Sequence, residues 1–357
     1  MNCLEVWDHP ELFKDFDFTV IDRKVRYIQR YRKNNELCDK IIKELNNRID
    51  IDFIKDSEQL EGNTILALQN IDFDEDYEDL YETNIFDRKV KGNNIDDFYL
   101  GKYRTIIKDG ALTIYRKDPE TGVIKRYKCN MPTHLQALKD ALAQARKEKE
   151  LIEKGVRTPI KAEFIEKLHE TLFDYYILLN SRLSIDPNAP PIKPEGYGKF
   201  RRTITFNGKA HKYNVVVEGV DWETTDSDFV REEMNLLISK YNASNLHPIM
   251  KAIIFKACMI QIHPFRDGNG RTSRLMLNYM LVRNGIPTVT IRGNHKDSYF
   301  EAMDKAIVDN DFVDLVKMVK KELNQRCNQY ISLIDKLKAE KFAKTNVNNI
   351  EQKRTLD

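Results

Sequence analysis

The sequence predicts a mainly α protein interrupted by one small β-meander and one β-hairpin, and three observations carry that expectation. Only 14 Gly and 11 Pro punctuate 357 residues, too few for a sandwich assembled from many tight turns. Apolar residues recur at helical spacing along most of the chain. Period-two alternation with turn residues is confined to 98–129 and 198–219.

The elements follow in order. VRYIQRYRKNNELCDKIIKEL, between 22 and 48, gives one or two amphipathic helices. In DSEQLEGNT, 56–64, Ser57 or Asp56 can cap a short helix that Gly62 terminates. DFDEDYEDLYE, 72–82, is acidic enough to be a solvated face. FYLGKYRTIIKDGALTIYRKDPETGVIKRYKC, 98–129, has turn signals at Asp109-Gly110 and at 120–122, which makes it the meander. A long charged helix is expected over 134–154, another helix over 158–182, and a loop over 188–194. GKFRRTITFNGKAHKYNVVVEG, 198–219, reads as the hairpin. Helices then fill 228–241, 248–262, 270–283 with Asn284-Gly285 as C-cap, 296–307, and 311 to 344, beyond which TNVNNIEQKRTLD is expected to fray. GKYRT and GKFRRT resemble each other, but five residues do not make a repeat.

Hydrophobic residues make up 41% and charged residues 32%, so a substantial core is expected. A net charge of +2 supplies no global field for nucleic acid or an anionic membrane, and neither is an expected partner. Cys3, Cys38, Cys129, Cys258 and Cys327 are scattered without CxxC spacing, so they read as reduced, non-metal thiols. With no apolar signal core near Met1 and no run of membrane-spanning length, a cytoplasmic protein is expected.

The densest chemistry lies in IQIHPFRDGNGRTSRLML, 260–277, a polar stretch between two apolar ones. Pro264 prevents simple continuation of the helix ending at Ile262, which forces a turn at His263. Gly268, Asn269 and Gly270 immediately precede a second helix, where unpaired N–H groups and the positive end of the macrodipole favour an anion. Arg271 and Arg274, three apart on one face, suit phosphate oxygens. Asp267 beside an anion nest makes sense if a cation intervenes, since one carboxylate plus substrate phosphates is a usual way to hold Mg²⁺. His263 is then placed as a general base.

HPFRDGNGRTSR, 263–274, resembles the HPFx(D/E)GN(G/K)RxxR signature of the Fic family at every defined position. The likeness extends over 157–325 and implies a Fic-type helical core with a β-hairpin flap. By that resemblance the activity is protein adenylylation, with AMP passing from ATP to a Tyr, Ser or Thr hydroxyl of a target protein. His263 would deprotonate the hydroxyl; Asp267 would hold Mg²⁺ on the phosphates. Gly268, Asn269, Gly270, Arg271, Thr272, Ser273 and Arg274 would cradle the polyphosphate. Phe265 would anchor the loop in the core. YNVVVEG, 213–219, matches the flap that binds a target segment by strand pairing, with Val216, Val217, Glu218 and Gly219 over the nucleotide. Tyr299 and Phe300 fall where relatives place aromatics near adenine, and Ile307 replaces a polar residue that some of them use.

SEQLEGN, 57–63, further resembles the family's (S/T)xxxE(G/N) inhibitory motif, which makes this a class II-like arrangement. The resemblance implies that Glu61, with Ser57 on the same helix face, pairs with Arg274 and blocks the γ-phosphate position. Removal of AMP by the same glutamate is an open alternative. The expected organisation is an N-terminal helical region (1–96), an insertion of meander and charged helix (97–156) for target recognition, dimerisation or mere surface, the catalytic core (157–325), and a helical tail (326–357). Rival readings are a relative using another donor for UMP, phosphocholine or phosphate transfer, or a non-catalytic module binding nucleic acid through Lys199, Arg201, Arg202 and Lys209.

Overall fold

A computed structural model describes residues 3–33, 36–60, 105–108, 111–117, 124–130, 133–173, 196, 198–206, 208–217 and 219–354. Expectations that fall on 61–104, the turns at 109–110 and 120–122, the helix beyond 173, the loop at 188–194, and Glu218 lie outside the described residues.

The chain is mainly helical. Two 3₁₀ turns, Glu5–Asp8 and Pro10–Phe13, lead into α1 (Thr19–Lys33) and α2 (Glu36–Leu60). The meander follows as β1 (Thr105–Lys108), β2 (Ala111–Lys117) and β3 (Ile124–Asn130), antiparallel in the order β1-β2-β3. Its register pairs Thr105 with Ile114 and Ile114 with Tyr127. Helices α3 (Thr133–Glu153) and α4 (Ala162–Leu172) come next, then the two-stranded hairpin β4 (Ile204–Phe206) and β5 (Lys209–His211). The remainder is α5 (Val230–Ala243), α6 (Pro248–Ile262), α7 (Asn269–Arg283), α8 (Lys296–Asp304) and α9 (Val313–Arg354).

Several boundaries differ from expectation. The segment around Ser57 is no short capped helix; Asp56 and Ser57 occupy the last turn of the 25-residue α2, whose apolar face continues through Phe53, Ile54 and Leu60. The hairpin is also shorter than 198–219, for its ladder ends at His211 and 212–217 run on without strand pairing. A π-turn, Lys305–Asp309, closes α8 where a continuous helix was expected. Helix α9 runs to Arg354, through residues expected to fray.

Helix α6 is the axis of the molecule. Ile249, Ala252, Ile253, Phe255, Ala257 and Met259 are all fully buried on it, the pattern of a helix apolar all round and enclosed by others. Helices α5 and α7 pack directly on α6, and α3 lies along α7. Ala137, Ala141 and Ala145 form a small-residue stripe on α3 that lets the two backbones approach closely. Tyr279 on α7 donates to Glu148 Oε2 of α3 at 2.6 Å. The charged helix of the expected 97–156 insertion is therefore part of the packing around α7. Among the described residues no helix is long and apolar enough to cross a membrane.

Candidate active site

The site is built on the turn between α6 and α7. His263 closes α6 in a left-handed conformation, φ 53°, with its N–H donating to Met259 O at 3.0 Å. Among the described residues only His263 and Asn310 combine a side chain with positive φ. Such a backbone costs on the order of 1 kcal/mol and persists only when its surroundings over-determine it. Pro264 contributes, because it steers the preceding residue away from right-handed helix.

The imidazole Nδ1 lies 3.1 Å from Ile260 O. A carbonyl can only accept, so Nδ1 carries the proton and the neutral ring keeps its lone pair on Nε2. That is the tautomer a general base needs.

Asn269 ties the turn into a ring. Phe265 N–H donates to Asn269 Oδ1 at 2.9 Å, and Asn269 Nδ2 returns a bond to Phe265 O at 2.8 Å. Its buried carboxamide is thus a clasp on the turn, which the sequence reading assigned only through its backbone amide. Phe265 is fully buried and stacks on the His169 ring at 3.7 Å.

Behind the turn His169 links two loops. Gly198 N–H donates to Nδ1 at 2.9 Å, so Nδ1 accepts and Nε2 must be the donor to Asp267 O, also at 2.9 Å. Burial pushes its pKa down to about 3, with the nearby Arg271 charge acting in the same direction. His169 is accordingly a neutral strut under Asp267.

Gly268 N-caps α7 with φ 73°, and a Cβ there would lie 2.3 Å from Phe173 Cε2. Only glycine fits that close approach. Asp267 accepts from the Gly268 N–H, and its carboxylate oxygens each lie 3.3 Å from Arg271 Nη2. Arg271 is buried over the Phe173 ring, whereas the Asp267 side chain is 56% exposed. Thr272 and Ser273 are fully buried, and the Ser273 hydroxyl donates to Gly270 O at 2.9 Å.

Arg274, also buried, is engaged by the end of α2. Its Nε donates to Ser57 Oγ at 2.8 Å and its Nη2 to Ser57 O at 2.9 Å. Next to this contact Asp56 accepts from Gly293 N–H at 2.9 Å and pairs with Arg292 at 3.3 Å. The sequence reading placed Glu61 on Arg274; Glu61 lies outside the described residues.

The remaining site residues are dispersed. Val216 is 86% exposed, Val217 is half-buried, and Gly219 takes a positive φ of 78°. Tyr299 sits in the core with its hydroxyl on Lys256 Nζ, while Phe300 beside it is 42% exposed. Ile307 is buried in the π-turn.

Arg201 corrects the sequence reading most. It was grouped with Lys199, Arg202 and Lys209 as a surface patch for nucleic acid, yet it is fully buried. Lys199 is occupied with Glu166 Oε2 at 3.1 Å. That patch therefore loses its centre. Neither Arg201 nor His169 is found by periodicity or motif, because both act on backbone carbonyls far away in sequence.

One exposed carboxylate beside a helix N-terminus fits Mg²⁺ when substrate phosphates and waters complete its shell. Among the described residues no group of three His, Cys, Asp or Glu could hold a metal alone.

Residues 159–281 match the model of the Fic/DOC family. Over 147 residues the chain is 32% identical to protein adenylyltransferase Fic of Drosophila grimshawi, a match covering 41% of this chain and 27% of that protein. It is 37% identical over 81 residues to protein adenylyltransferase Fic of Culex quinquefasciatus, covering 21% of this chain and 16% of that one. The matches thus span about a quarter or less of those relatives' lengths. Among solved structures, a Fic domain-containing signaling protein of Bacteroides thetaiotaomicron superposes with a TM-score of 0.50 at 17% identity, over 87% of this chain and 98% of that one, which is a likeness of fold. Over residues 159–281 this chain is therefore similar to the Fic/DOC family.

Proposed function

We propose that the chain is a protein adenylyltransferase that moves AMP from ATP to a hydroxyl of a target protein and is restrained by the end of α2. One observation carries the reading: His263 is held with Nδ1 on a carbonyl and its lone pair on Nε2, at the mouth of a helix N-terminus flanked by Arg271 and Arg274.

In this reading ATP lies with its phosphates on the first turn of α7, where the amides and both arginines meet their charge. Asp267, whose carboxylate here lies on Arg271, would hold Mg²⁺, and the ion would neutralise phosphate charge. The target hydroxyl gives its proton to His263 Nε2, its oxygen forms a bond to the α-phosphorus, and the bond to pyrophosphate breaks. A target segment aligns along 212–219, beside β5.

Restraint comes through Arg274. Ser57 holds two of its nitrogens, and Glu61 follows four residues later in the sequence. A glutamate reaching Arg274 competes with the γ-phosphate for the same fork.

The test compares ATP labelled at the α- or the γ-phosphate, incubated with the Glu61→Gly protein, Mg²⁺ and lysate. Protein-bound label from the α position alone is expected. Label from the γ position instead redirects the reading to phosphoryl transfer, and label from neither contradicts it. Release of label from a modified target by the protein with Glu61 intact, and not by Glu61→Gly, would add the reverse reaction.

A further inference from the structure

Four backbone carbonyls converge on one buried guanidinium. Arg201 Nε donates to His263 O at 2.7 Å, and Nη2 donates to Ile262 O at 3.0 Å and to Thr225 O. Nη1 donates to Tyr213 O at 3.3 Å. Two of these acceptors end α6, and the other two flank the segment 214–224 that contains the proposed flap.

The backbone around Arg201 follows the same turn. Its N–H donates to Pro264 O at 2.8 Å, and Arg266 N–H donates to Gly196 O at 3.1 Å. Gly196, φ 87°, permits this approach, since a Cβ there would stand 3.1 Å from Arg266 N. Gly196 and Arg201 are therefore laced to 264–266 through their backbones, with the Arg201 side chain reaching past that turn.

Physical chemistry favours this arrangement. The last carbonyls of a helix carry partial negative charge that a cation offsets. Five donors in a rigid plane can serve several acceptors at once, which a lysine ammonium on a flexible stem cannot reproduce. The bond to His263 O fixes the peptide plane that follows the left-handed histidine, and with it the direction in which the imidazole leaves the backbone.

We propose that Arg201 is a positioning residue that locks His263 and the flap into one frame, so that a hydroxyl presented along the flap arrives at Nε2. The proposal rests on the reading of His263 as the base. Arg201 touches no substrate; it acts through His263 and through the stem of the flap.

The test uses the full chain in the Glu61→Gly background, with Arg201→Lys and Arg201→Met added singly. Transfer kinetics are read together with ¹⁵N NMR of the histidine rings, His263 being assigned by its loss in His263→Ala. For Arg201→Lys the proposal expects kcat down about 100-fold, the scale of a misplaced reacting group, and KM for ATP within about threefold. It also expects the His263 ring to lose its single Nδ1-protonated signature. Near-parental kcat in a folded Arg201→Lys protein overturns the proposal, as does an unchanged His263 spectrum. If Arg201→Met does not fold, Arg201→Lys decides alone. If the parent transfers no label, the proposed function has failed, and the spectrum still decides the positioning role.

Discussion

Between α6 and α7, side chains hold several backbone groups of the turn, and the backbones of Gly196 and Arg201 hold two more. Asn269 holds both polar groups of Phe265, His169 holds Asp267, and Arg201 holds the carbonyls of Ile262 and His263. Among its described residues the flap beside it is fastened at its stem. Asn214 Nδ2 donates to Asp226 at 3.0 Å, Ser227 N–H donates to Asn214 at 2.7 Å, and Thr224 donates to Val215 O. Beyond the stem Val216 stands 86% exposed. The difference separates two tasks: a base and an anion cradle gain from preorganisation, whereas a strand that receives different sequences must leave its edge open.

Breaking the turn has the largest expected effect. Gly268→Ala places a Cβ against the Phe173 ring at a positive φ, so it should destabilise by about 2–5 kcal/mol, read as a lowered melting temperature. Asn269→Ala removes two reciprocal buried bonds and leaves Phe265 N–H and C=O without them. A loss of about 2–4 kcal/mol is expected from the same melt.

The strut predicts a pH dependence. His169 is held near pKa 3 by burial, while the unfolded ring titrates near its ordinary 6.5. Between those values the unfolded chain binds the additional proton, so stability rises with pH across the window and falls as pH drops from 6.5 towards 3. The slope from this group is at most about 1.4 kcal/mol per pH unit. Denaturant melts at stepped pH should show it, and His169→Gln should flatten it.

Ser57→Ala is a smaller perturbation. Arg274 loses its partner at Nε and keeps the Ser57 carbonyl, for about 1–2 kcal/mol of stability. Basal label transfer should increase. At the open edge, Val216→Thr should change stability by less than about 0.5 kcal/mol, while labelling of target protein falls more than occupancy by ATP. Equal losses of stability at Val216 and Asn269 would erase the distinction between turn and flap.

The sequence made the turn legible because its elements are local. A histidine before Pro264, a glycine pair around Asn269 and two arginines one helical turn apart each have a backbone reason to stand where they do. Helix α6 was equally readable, since its ends and its all-round apolar surface are written in consecutive residues. Arg201 was misread as surface because its acceptors are carbonyls on three separate segments, and carbonyls carry no residue identity. His169 was hidden in an amphipathic helix for the same reason. The hairpin was overextended because Val215, Val216 and Val217 look like a strand, yet the partner edge stops at Ile204.

The central claim is that His263, released from the α2 restraint, is the base for AMP transfer. Its most direct measurement compares protein-bound label from α-labelled ATP and Mg²⁺ in Glu61→Gly and in Glu61→Gly/His263→Ala, with both shown to be folded by their melts. Strong labelling by the first and none by the second is the predicted result. Equal labelling by the two proteins would contradict it.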